Sequence, residues 1–419
     1  MSASDDALHN LTAQWYNSLV TALSLSPKDF QIAQGDLLVP TSTERLWDMM
    51  DQVPSESIAQ YYAPSTVDTF SSEYQTILGY LHEPASEAFK TEMADNYAAW
   101  QTAEAAYVAA NGAAILANPP TSVTKALTGY FDIWSAENMD PGLAASCATL
   151  YAAIYDNPVY IAQLLIRHLP PGAPTAFTMT QEQLVADLAR GPSVSFSMDS
   201  ATASTDLANS WTSSSSSDGG SYFYTSSSSS EATDFSQKFA SSGVSVSTTY
   251  QHVVTVPVQA LSSGSVTDSG TDYRPWFYPA ALTAAFDDDS ASTWSDPTKW
   301  SEFFGLDGTL QYVATALIVV DGISQTVTSN VSYTADEQTY AHSESHEGYG
   351  CWPYYVSNDS SSTTTTNTTF NDQGQMSVET SSPVGNPIVI GVLVSAIEDL
   401  DTATPQTADQ TEYEPELAD

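Results

Sequence analysis

The densest group of potential metal ligands in the chain is the segment His342-Ser-Glu344-Ser-His346. On a strand, alternate side chains face the same side, so His342, Glu344 and His346 would converge. Two imidazoles and a carboxylate suit a transition metal. The spacing matches no specific metal-binding family, and a solvated strand or loop is the alternative interpretation.

A second candidate ligand set is the run Asp287-Asp288-Asp289. Three adjacent carboxylates repel one another unless a cation or salt relieves the repulsion. Calcium, or another divalent cation, is therefore the candidate cofactor, because hard cations take oxygen ligands. The run lacks the alternating spacing and the glycine of an EF-hand loop, so a solvated turn is the alternative.

The segment Arg274-Pro275-Trp276-Phe277 contains one of only nine lysine and arginine residues in the chain. An arginine kept in so base-poor a protein is expected to have a carboxylate or an aromatic face as its partner, and Asp272 is the nearest acid. Pro275 is expected to end a strand, and Trp276 to fill the core. We therefore assign structural roles to Arg274, Trp276 and Asp272.

Short catalytic signatures are absent from the sequence. It contains no P-loop, no GxGxxG, no GxSxG, no HExxH and no CxxC. Carboxylate pairs for glycoside hydrolysis could be chosen almost anywhere among the fifty acids, so such a choice is uninformative. No catalytic residue is assigned, and a non-enzyme is favoured. Five aromatic residues are candidates for stacking on sugars, with core packing as the alternative: Trp294, Trp300, Trp352, Tyr354 and Tyr355.

Residues 1–190 are predicted to form a helical domain, because apolar residues recur there at spacings of three and four. The strongest helical segment spans about residues 86–117 and carries an aromatic stripe. The stripe consists of Phe89, Met93, Tyr97, Trp100 and Tyr107. Such a stripe is typical of the core of a helical bundle. A cofactor-binding or partner-binding face is the alternative.

The composition changes at Gly191-Pro192, after which Ser, Thr, Val and Tyr dominate. Short segments in residues 191–400 alternate polar with apolar residues, which predicts strands with one wet face. We expect a mostly antiparallel β-sandwich-like domain, so the fold class is α+β with the helical bundle first. Residues 401–419 are acidic and contain no base, and are predicted to be a disordered tail.

Two cysteines lie far apart in the chain, at Cys147 and Cys351. Cys147 falls in an alanine-rich helical segment and is expected to be a buried small hydrophobe. The sequence leaves open whether the two are bonded. Glycans are candidate partners if the protein is exported, because four sites match the N-glycosylation pattern: Asn10, Asn330, Asn358 and Asn367.

Five short motifs together resemble an uncharacterised family of bacterial and fungal proteins. The first is the helix from Tyr97-Ala-Ala-Trp100 to Tyr107-Val-Ala-Ala-Asn111. Next come Arg274-Pro275-Trp276-Phe277, Asp307-Gly308-Thr309-Leu310, Thr315-Ala-Leu-Ile-Val and Pro387-Ile-Val-Ile-Gly391. The resemblance covers most of residues 80–400. It implies a helical N-terminal half and a β-rich C-terminal half, and it implies no activity.

The formal net charge of −41 comes from the loss of bases, because charged residues make up only 14% of the chain. No lysine or arginine follows Lys299. The charge argues strongly against nucleic acids and anionic membranes as partners, since both require clustered bases. Screening at high salt would relieve the self-repulsion. A halophilic cytoplasm, a saline exterior, an ordinary extracellular setting and bound divalent cations are all compatible with this balance.

The N-terminal residues MSASDDALHN lack the basic start and apolar run of a signal peptide. An extracellular or cell-surface location is nevertheless the first expectation, and the cytoplasm of a salt-accumulating organism is the alternative. The longest apolar runs, at residues 312–320 and 388–397, are too short to span a bilayer as helices. We therefore expect no stable transmembrane helix.

Three functional hypotheses follow from these patterns. The first is a non-enzymatic, surface-exposed or secreted structural or binding protein that associates with itself, because polar strands offer backbone edges for strand addition. The second is a pore-forming protein, because residues 193–200 and 221–256 carry the polar alternation of amphipathic hairpins. The third is a secreted hydrolase or carbohydrate-binding protein.

Overall fold

The computed structural model describes residues 3–54, 62, 69–82, 84–169, 172–203, 235, 238, 239, 243–344 and 364–399. The helices of the N-terminal half are α1 (Ala3–Ala22), α2 (Thr43–Met50), α3 (Phe70–Tyr80), α4 (Pro84–Met93), α5 (Tyr97–Ile115), α6 (Thr121–Asn138), α7 (Pro141–Ile154), α8 (Pro158–Arg167) and α9 (Gln181–Leu188). Those of the C-terminal half are α10 (Pro279–Asp287), α11 (Thr298–Phe304) and α12 (Ala335–Glu344).

The strands are β1 (Phe30–Leu38), β2 (Val194–Asp199), β3 (Val244–Pro257), β4 (Val266–Asp268), β5 (Thr271–Tyr273), β6 (Tyr312–Ser332), β7 (Thr365–Phe370), β8 (Gln375–Ser382) and β9 (Ile388–Ala396). Seven of them form one sheet in the order β1-β9-β6-β3-β2, with β8 also on β6 and β7 on β8. Strands β4 and β5 form a separate hairpin. All the strand pairs are antiparallel. The predicted α+β class, with a mostly antiparallel sheet and helices in the N-terminal half, is confirmed.

The central strand of the sheet is β6, which is 21 residues long. Strand β3 pairs with one side of it, while β9 and β8 pair in succession with the other side. Near its middle, β6 carries Gly322 with a φ of +62°, and a Cβ there would lie 2.7 Å from Val384 and 2.8 Å from Gln251. The left-handed conformation and the lack of space both require glycine at this point.

A buried carboxylate holds this point of β6 to the turn before β9. Asp321 accepts hydrogen bonds from the backbone N–H groups of Gly322 (2.9 Å), Gly385 (2.9 Å) and Asn386 (3.1 Å). Asp321 is only 4% exposed, so these three donors replace the water that a buried carboxylate loses. The carboxylate therefore sets where β8 ends and where β9 begins.

Both faces of β6 are buried along residues 316–323, which explains why this part of the strand reads as a nearly continuous apolar run. Leu317 and Val319 face a first core, which also contains side chains from α2, α3, α8, α9, α10 and α11. Ile318 and Val320 face a second core beneath α1. Alternation along one strand thus supplies two cores.

A third core lies within the helices α4–α8 and contains Phe89, Met93 and Trp100 of the predicted stripe. The stripe is therefore bundle core at these positions, while Tyr97 and Tyr107 pack against it half-buried. Helix α8 contributes to two cores: Val159 and Ala162 belong to the first, and Ile161 and Leu165 to the third. Its nearly all-round hydrophobic surface places it between the bundle and the sheet-facing helices.

The switch in composition at Gly191-Pro192 falls between α9 and β2. The sheet nevertheless contains a strand from before this switch. Strand β1 lies in the predicted helical half and pairs with β9. Its side chains Phe30 and Ile32 alternate and are fully buried, and the strand that pairs with its backbone is the distant β9. Such a short strand between helices depends on long-range pairing, which local periodicity does not reveal. The predicted tail, residues 401–419, lies outside the described residues.

Within the part of the chain that the structure describes, no helix is long and apolar enough to cross a bilayer.

A second buried acid, Asp51, joins α2 to α3. It accepts hydrogen bonds from the backbone N–H of Ser71 (2.8 Å), the Ser71 hydroxyl (2.5 Å) and the Thr175 hydroxyl (3.3 Å). Burial raises the pKa of Asp51 to about 6, and outweighs these hydrogen bonds, which lower it. The folded protein therefore holds this proton more tightly than the unfolded chain does.

The Gly391→Ala substitution tests the close packing of β1 against β9 where the two strands pair. A Cβ at Gly391 would collide with the Phe30 ring and lie 2.5 Å from the Gln31 carbonyl oxygen. We expect the free energy of unfolding to fall by about 2–3 kcal/mol, as for an overpacked core, measured by urea denaturation. The control is Gly79→Ala in α3, where no atom lies within 4 Å of the added methyl. It should leave stability unchanged or raise it by up to about 1 kcal/mol. Equal effects of the two substitutions would contradict the packing at Gly391.

The Asp51→Asn substitution tests whether the buried Asp51 carboxyl group makes the stability of the protein depend on pH. Folding raises the pKa of Asp51, so the protonated carboxyl group stabilises the folded protein. This stabilisation is fully present below the unfolded pKa of about 4. It is lost as the pH rises through about 6. Wild type should lose about 3 kcal/mol more than Asp51→Asn across this window, from about 1.4 kcal/mol per pKa unit. Urea denaturation at a series of pH values measures this difference. The control Asp48→Asn removes an exposed carboxylate of α2 and should keep the wild-type slope of stability against pH.

Candidate functional site

The candidate metal ligands His342 and Glu344 lie on a helix rather than on a strand. Helix α12 begins with a capping pair, in which Thr334 N–H donates to the Glu337 carboxylate (2.6 Å) and Glu337 N–H donates to the Thr334 hydroxyl (3.3 Å). The strand alternation that would bring the ligands together therefore does not apply to residues 342–344. His346 lies outside the described residues, so the metal site remains a prediction.

The acidic run at the end of α10 closes a turn. The Asp288 carboxylate accepts hydrogen bonds from the Thr293 hydroxyl (2.7 Å) and the Ser290 N–H (3.0 Å), which hold its pKa below the usual range. Asp287 and Asp289 are exposed on either side. Among the described residues, no three histidine, cysteine, aspartate or glutamate side chains come together to hold a metal ion.

The residues assigned structural roles lie between the β4–β5 hairpin and the cores. Trp276 is fully buried and its Nε1–H donates to the Ala176 carbonyl oxygen (2.7 Å), so it fills the first core as expected. Asp272 accepts from the Thr267 hydroxyl (2.6 Å) across the hairpin instead of pairing with Arg274. The exposed Arg274 places its guanidinium 3.2 Å from where a Cβ on Gly112 of α5 would lie. Its contact is thus with a helix surface.

Two of the five candidate sugar-stacking aromatics are described, and both pack in the interior. Trp294 is fully buried, and its Nε1–H donates to the Asp288 carbonyl oxygen (2.9 Å). Trp300 packs against the same core and donates to the Phe286 carbonyl oxygen (2.9 Å). The other three lie outside the described residues: Trp352, Tyr354 and Tyr355.

Cys147 is a fully buried free thiol in the third core, as its alanine-rich surroundings indicated. Burial, with a smaller contribution from the charge of Glu92, raises its pKa. Cys351 lies outside the described residues. Of the glycosylation sequons, Asn330 and Asn367 are exposed at the end of β6 and on β7. Asn358 lies outside the described residues, as does the side chain of Asn10.

A pocket of about 300 Å³ opens between α4, α5, α7 and α8, on the aromatic stripe. We call it the Glu104 pocket. Its aromatic lining consists of Phe89, Tyr97, Trp100, Tyr151 and Tyr160. Its polar lining consists of Ser86, Gln101, Glu104, Gln163 and Arg167, and Ile154 completes it. Its volume is at the low end of small-molecule sites, and its lining combines largely buried aromatic rings with several polar groups.

The aromatic walls are held by ring-to-ring contacts between the helices. Trp100 and Tyr151 meet edge to face with centroids 5.2 Å apart, and Phe89 lies 4.9 Å from Tyr151. Phe89 and Tyr97 also meet edge to face, at 6.2 Å. Each such contact fixes the orientation of a ring and contributes about 1 kcal/mol beyond its buried area. The walls are therefore a rigid part of the third core.

A chain of hydroxyl groups leads to the half-buried Glu104 carboxylate. Tyr155 donates to the Tyr151 hydroxyl oxygen (2.6 Å), and Tyr151 donates to the Glu104 carboxylate (2.5 Å). Burial raises the pKa of both tyrosines well above the usual range, so they keep their protons and act as donors. Burial also raises the pKa of Glu104, and this outweighs the hydrogen bonds from Tyr151 and Tyr160 and the charge of Arg167.

Two cations lie over aromatic rings at the pocket. The Arg167 guanidinium, exposed in the last turn of α8, is 5.7 Å from the centre of the Tyr160 ring. Lys90 places its ammonium 6.0 Å from the centre of the Tyr97 ring. These distances are within the range of cation–π attraction. The rings of this pocket thus already attract positive charge from the protein itself.

The arrangement suits binding better than hydrolysis. Of the residues that line the pocket, Glu104 is the one acid, so the facing pair of carboxylates that glycoside hydrolysis needs is not formed there. A carboxylate, a guanidinium and two amides can instead orient a polar ligand against the rings. Neither Glu104 nor Arg167 had been singled out in the sequence. One signal was present, because Glu104 is the only charged residue in the nineteen residues of α5.

Comparison with protein-family models, with curated proteins and with solved structures finds no match to this chain.

Proposed function

We propose that this protein is a non-enzymatic binding protein that holds a small polar molecule in the Glu104 pocket. The observation that carries the proposal is the convergence of five aromatic rings, one carboxylate, one guanidinium and two amides on a single cavity. A raised carboxylate pKa beside a specific charge partner in a cleft supports a ligand site, since buried titratable groups concentrate at such sites. We place the protein in a high-salt or extracellular setting, where screening relieves its acidic surface.

The pocket can be blocked at its exposed edge. Gln101 is exposed and lines the pocket, whereas its neighbour Thr102 is exposed but does not line it. We expect Gln101→Trp to weaken binding at least about tenfold, a cost of about 1.4 kcal/mol, because the indole occupies ligand space. Calorimetric titration with a panel of sugars, amino acids, betaines and polyamines measures it.

Thr102→Trp is the matched control, since it adds the same indole one residue away. It should bind like the wild type, and both variants should melt near the wild-type temperature. The proposal fails if no compound of the panel binds, or if a bound compound keeps its affinity in Gln101→Trp.

A second candidate function is self-association, and the edge of the sheet favours it. Among the described strands, β7 pairs with β8 on one side and with no strand on the other. Its sequence, Thr-Thr-Asn-Thr-Thr-Phe, contains no charged residue and no proline, which are the usual protections of an edge strand. In so acidic a protein, an uncharged edge is where a second copy meets the least repulsion.

The Asn367→Lys substitution tests this edge. Asn367 is exposed on β7, and a lysine there is a standard obstacle to strand addition. We expect wild-type dimers or larger species in light scattering at high salt, and at least about tenfold weaker association of Asn367→Lys. Asn111→Lys, exposed on α5, makes the same charge change away from the sheet and should associate like the wild type. A wild type that stays monomeric at every salt and calcium concentration contradicts this function.

A further inference from the structure

We propose that the ligand of the Glu104 pocket is a small zwitterion that carries a methylated ammonium group and a carboxylate, as betaines do. This inference rests on the proposed binding function and names the chemical class of the ligand. It is carried by the placement of two opposite charges and the aromatic rings around one cavity.

The two charges of the pocket are separated rather than paired. Glu104 and Arg167 both line the cavity, and the charge of Arg167 acts on the Glu104 carboxylate. Among the described residues, however, no direct ion pair joins them. Arg167 instead lies over the Tyr160 ring. A molecule with an ammonium group at one end and a carboxylate at the other can meet both charges at once.

The hydrogen bonds of Glu104 favour a methylated ammonium over a primary one. Its carboxylate already accepts from the Tyr151 hydroxyl (2.5 Å) and is also hydrogen-bonded by Tyr160. A primary ammonium carries three N–H donors that each need an acceptor. A quaternary ammonium needs only negative charge and the faces of aromatic rings, which is the recognition that aromatic cages perform.

The carboxylate end of the ligand is expected to lie at the solvent-exposed side of the Glu104 pocket. Arg167 is exposed there, and its planar guanidinium can hold a carboxylate through two parallel hydrogen bonds. Gln101 and Gln163 also line the pocket, although the Gln163 amide donates to the Leu78 carbonyl oxygen (3.0 Å). A simple anion would be repelled by the net charge of −41, whereas a zwitterion would not.

Four probes separate the contributions of the charges. Glycine betaine carries both, choline carries the ammonium alone, tert-butylacetate replaces the ammonium by a neutral group of the same shape, and glucose is a neutral polyol. We expect calorimetry on the full chain, at matched ionic strength, to show betaine binding about tenfold or more tightly than choline and tert-butylacetate. Glucose should bind most weakly.

Two pairs of variants assign the charges to residues. Arg167→Gln should abolish the preference for betaine over choline, and Arg190→Gln should preserve it. Arg190 is exposed after α9, pairs with Asp187 and lies outside the pocket. Glu104→Gln should abolish the preference for betaine over tert-butylacetate. Glu92→Gln should keep it, since the Glu92 carboxylate accepts from Ser146 outside the pocket.

The probes also separate this inference from the proposed function. If choline or tert-butylacetate binds as tightly as betaine, one of the two charges has no role and the inference is overturned. It is also overturned if a sugar binds, is blocked by Gln101→Trp, and betaine does not bind, although the binding function then stands. If neither the probes nor any compound of the wider panel binds, both fail. The comparison of probes on the wild type decides these outcomes even if a variant does not fold.

Discussion

The central pairing of β6 is the constraint on which the rest of the structure depends. This one strand forms ladders with β3, β8 and β9, and its two faces supply side chains to two separate cores. Along one side of β6 the neighbouring strand changes from β9 to β8. At this point Asp321 accepts hydrogen bonds from three backbone N–H groups, which allows the change of partner. Removing that carboxylate would leave these donors buried without a partner, at a cost of about 1–3 kcal/mol each.

The shortage of bases determines how the elements are joined. Of the ion pairs in the described part of the chain, three connect residues three positions apart within a helix or its end, and Lys238–Glu337 is the one between distant segments. Exposed pairs of this kind contribute little. The longer connections use hydroxyl groups on acids: Thr43 to Asp268 (2.7 Å), Thr309 to Glu73 (2.9 Å), Ser71 to Asp51 (2.5 Å) and Tyr151 to Glu104 (2.5 Å). The abundance of Ser, Thr and Tyr thus supplies the donors that lysine and arginine would provide elsewhere.

The spacing of apolar residues in the sequence predicted the helices and strands that bury one regular face. Helices α1 to α9 lie within residues 1–190, where the apolar spacing predicted a helical domain, and strands β2 to β9 lie within residues 191–400, where alternation predicted strands. Strand β1 was missed, because its pairing with β9 connects residues at least 350 positions apart. Helix α12 was also missed, although the Thr334–Glu337 capping pair is readable in the sequence, because the histidine spacing had been interpreted as that of a strand.

The Glu104 pocket could be predicted from the sequence only in part. The stripe of Phe89, Tyr97 and Trp100 was visible, with a ligand-binding face as the alternative to core. Glu104 and Arg167 meet at one cavity only because α8 packs between two cores, and no spacing within α5 or α8 encodes that. The same packing makes the site rigid. Its rings are fixed by contacts that stabilise the bundle, and its carboxylate is fixed by two tyrosines. The hydrogen bonds from Tyr151 and Tyr160 hold the Glu104 carboxyl group in one orientation, so a ligand would not have to organise it.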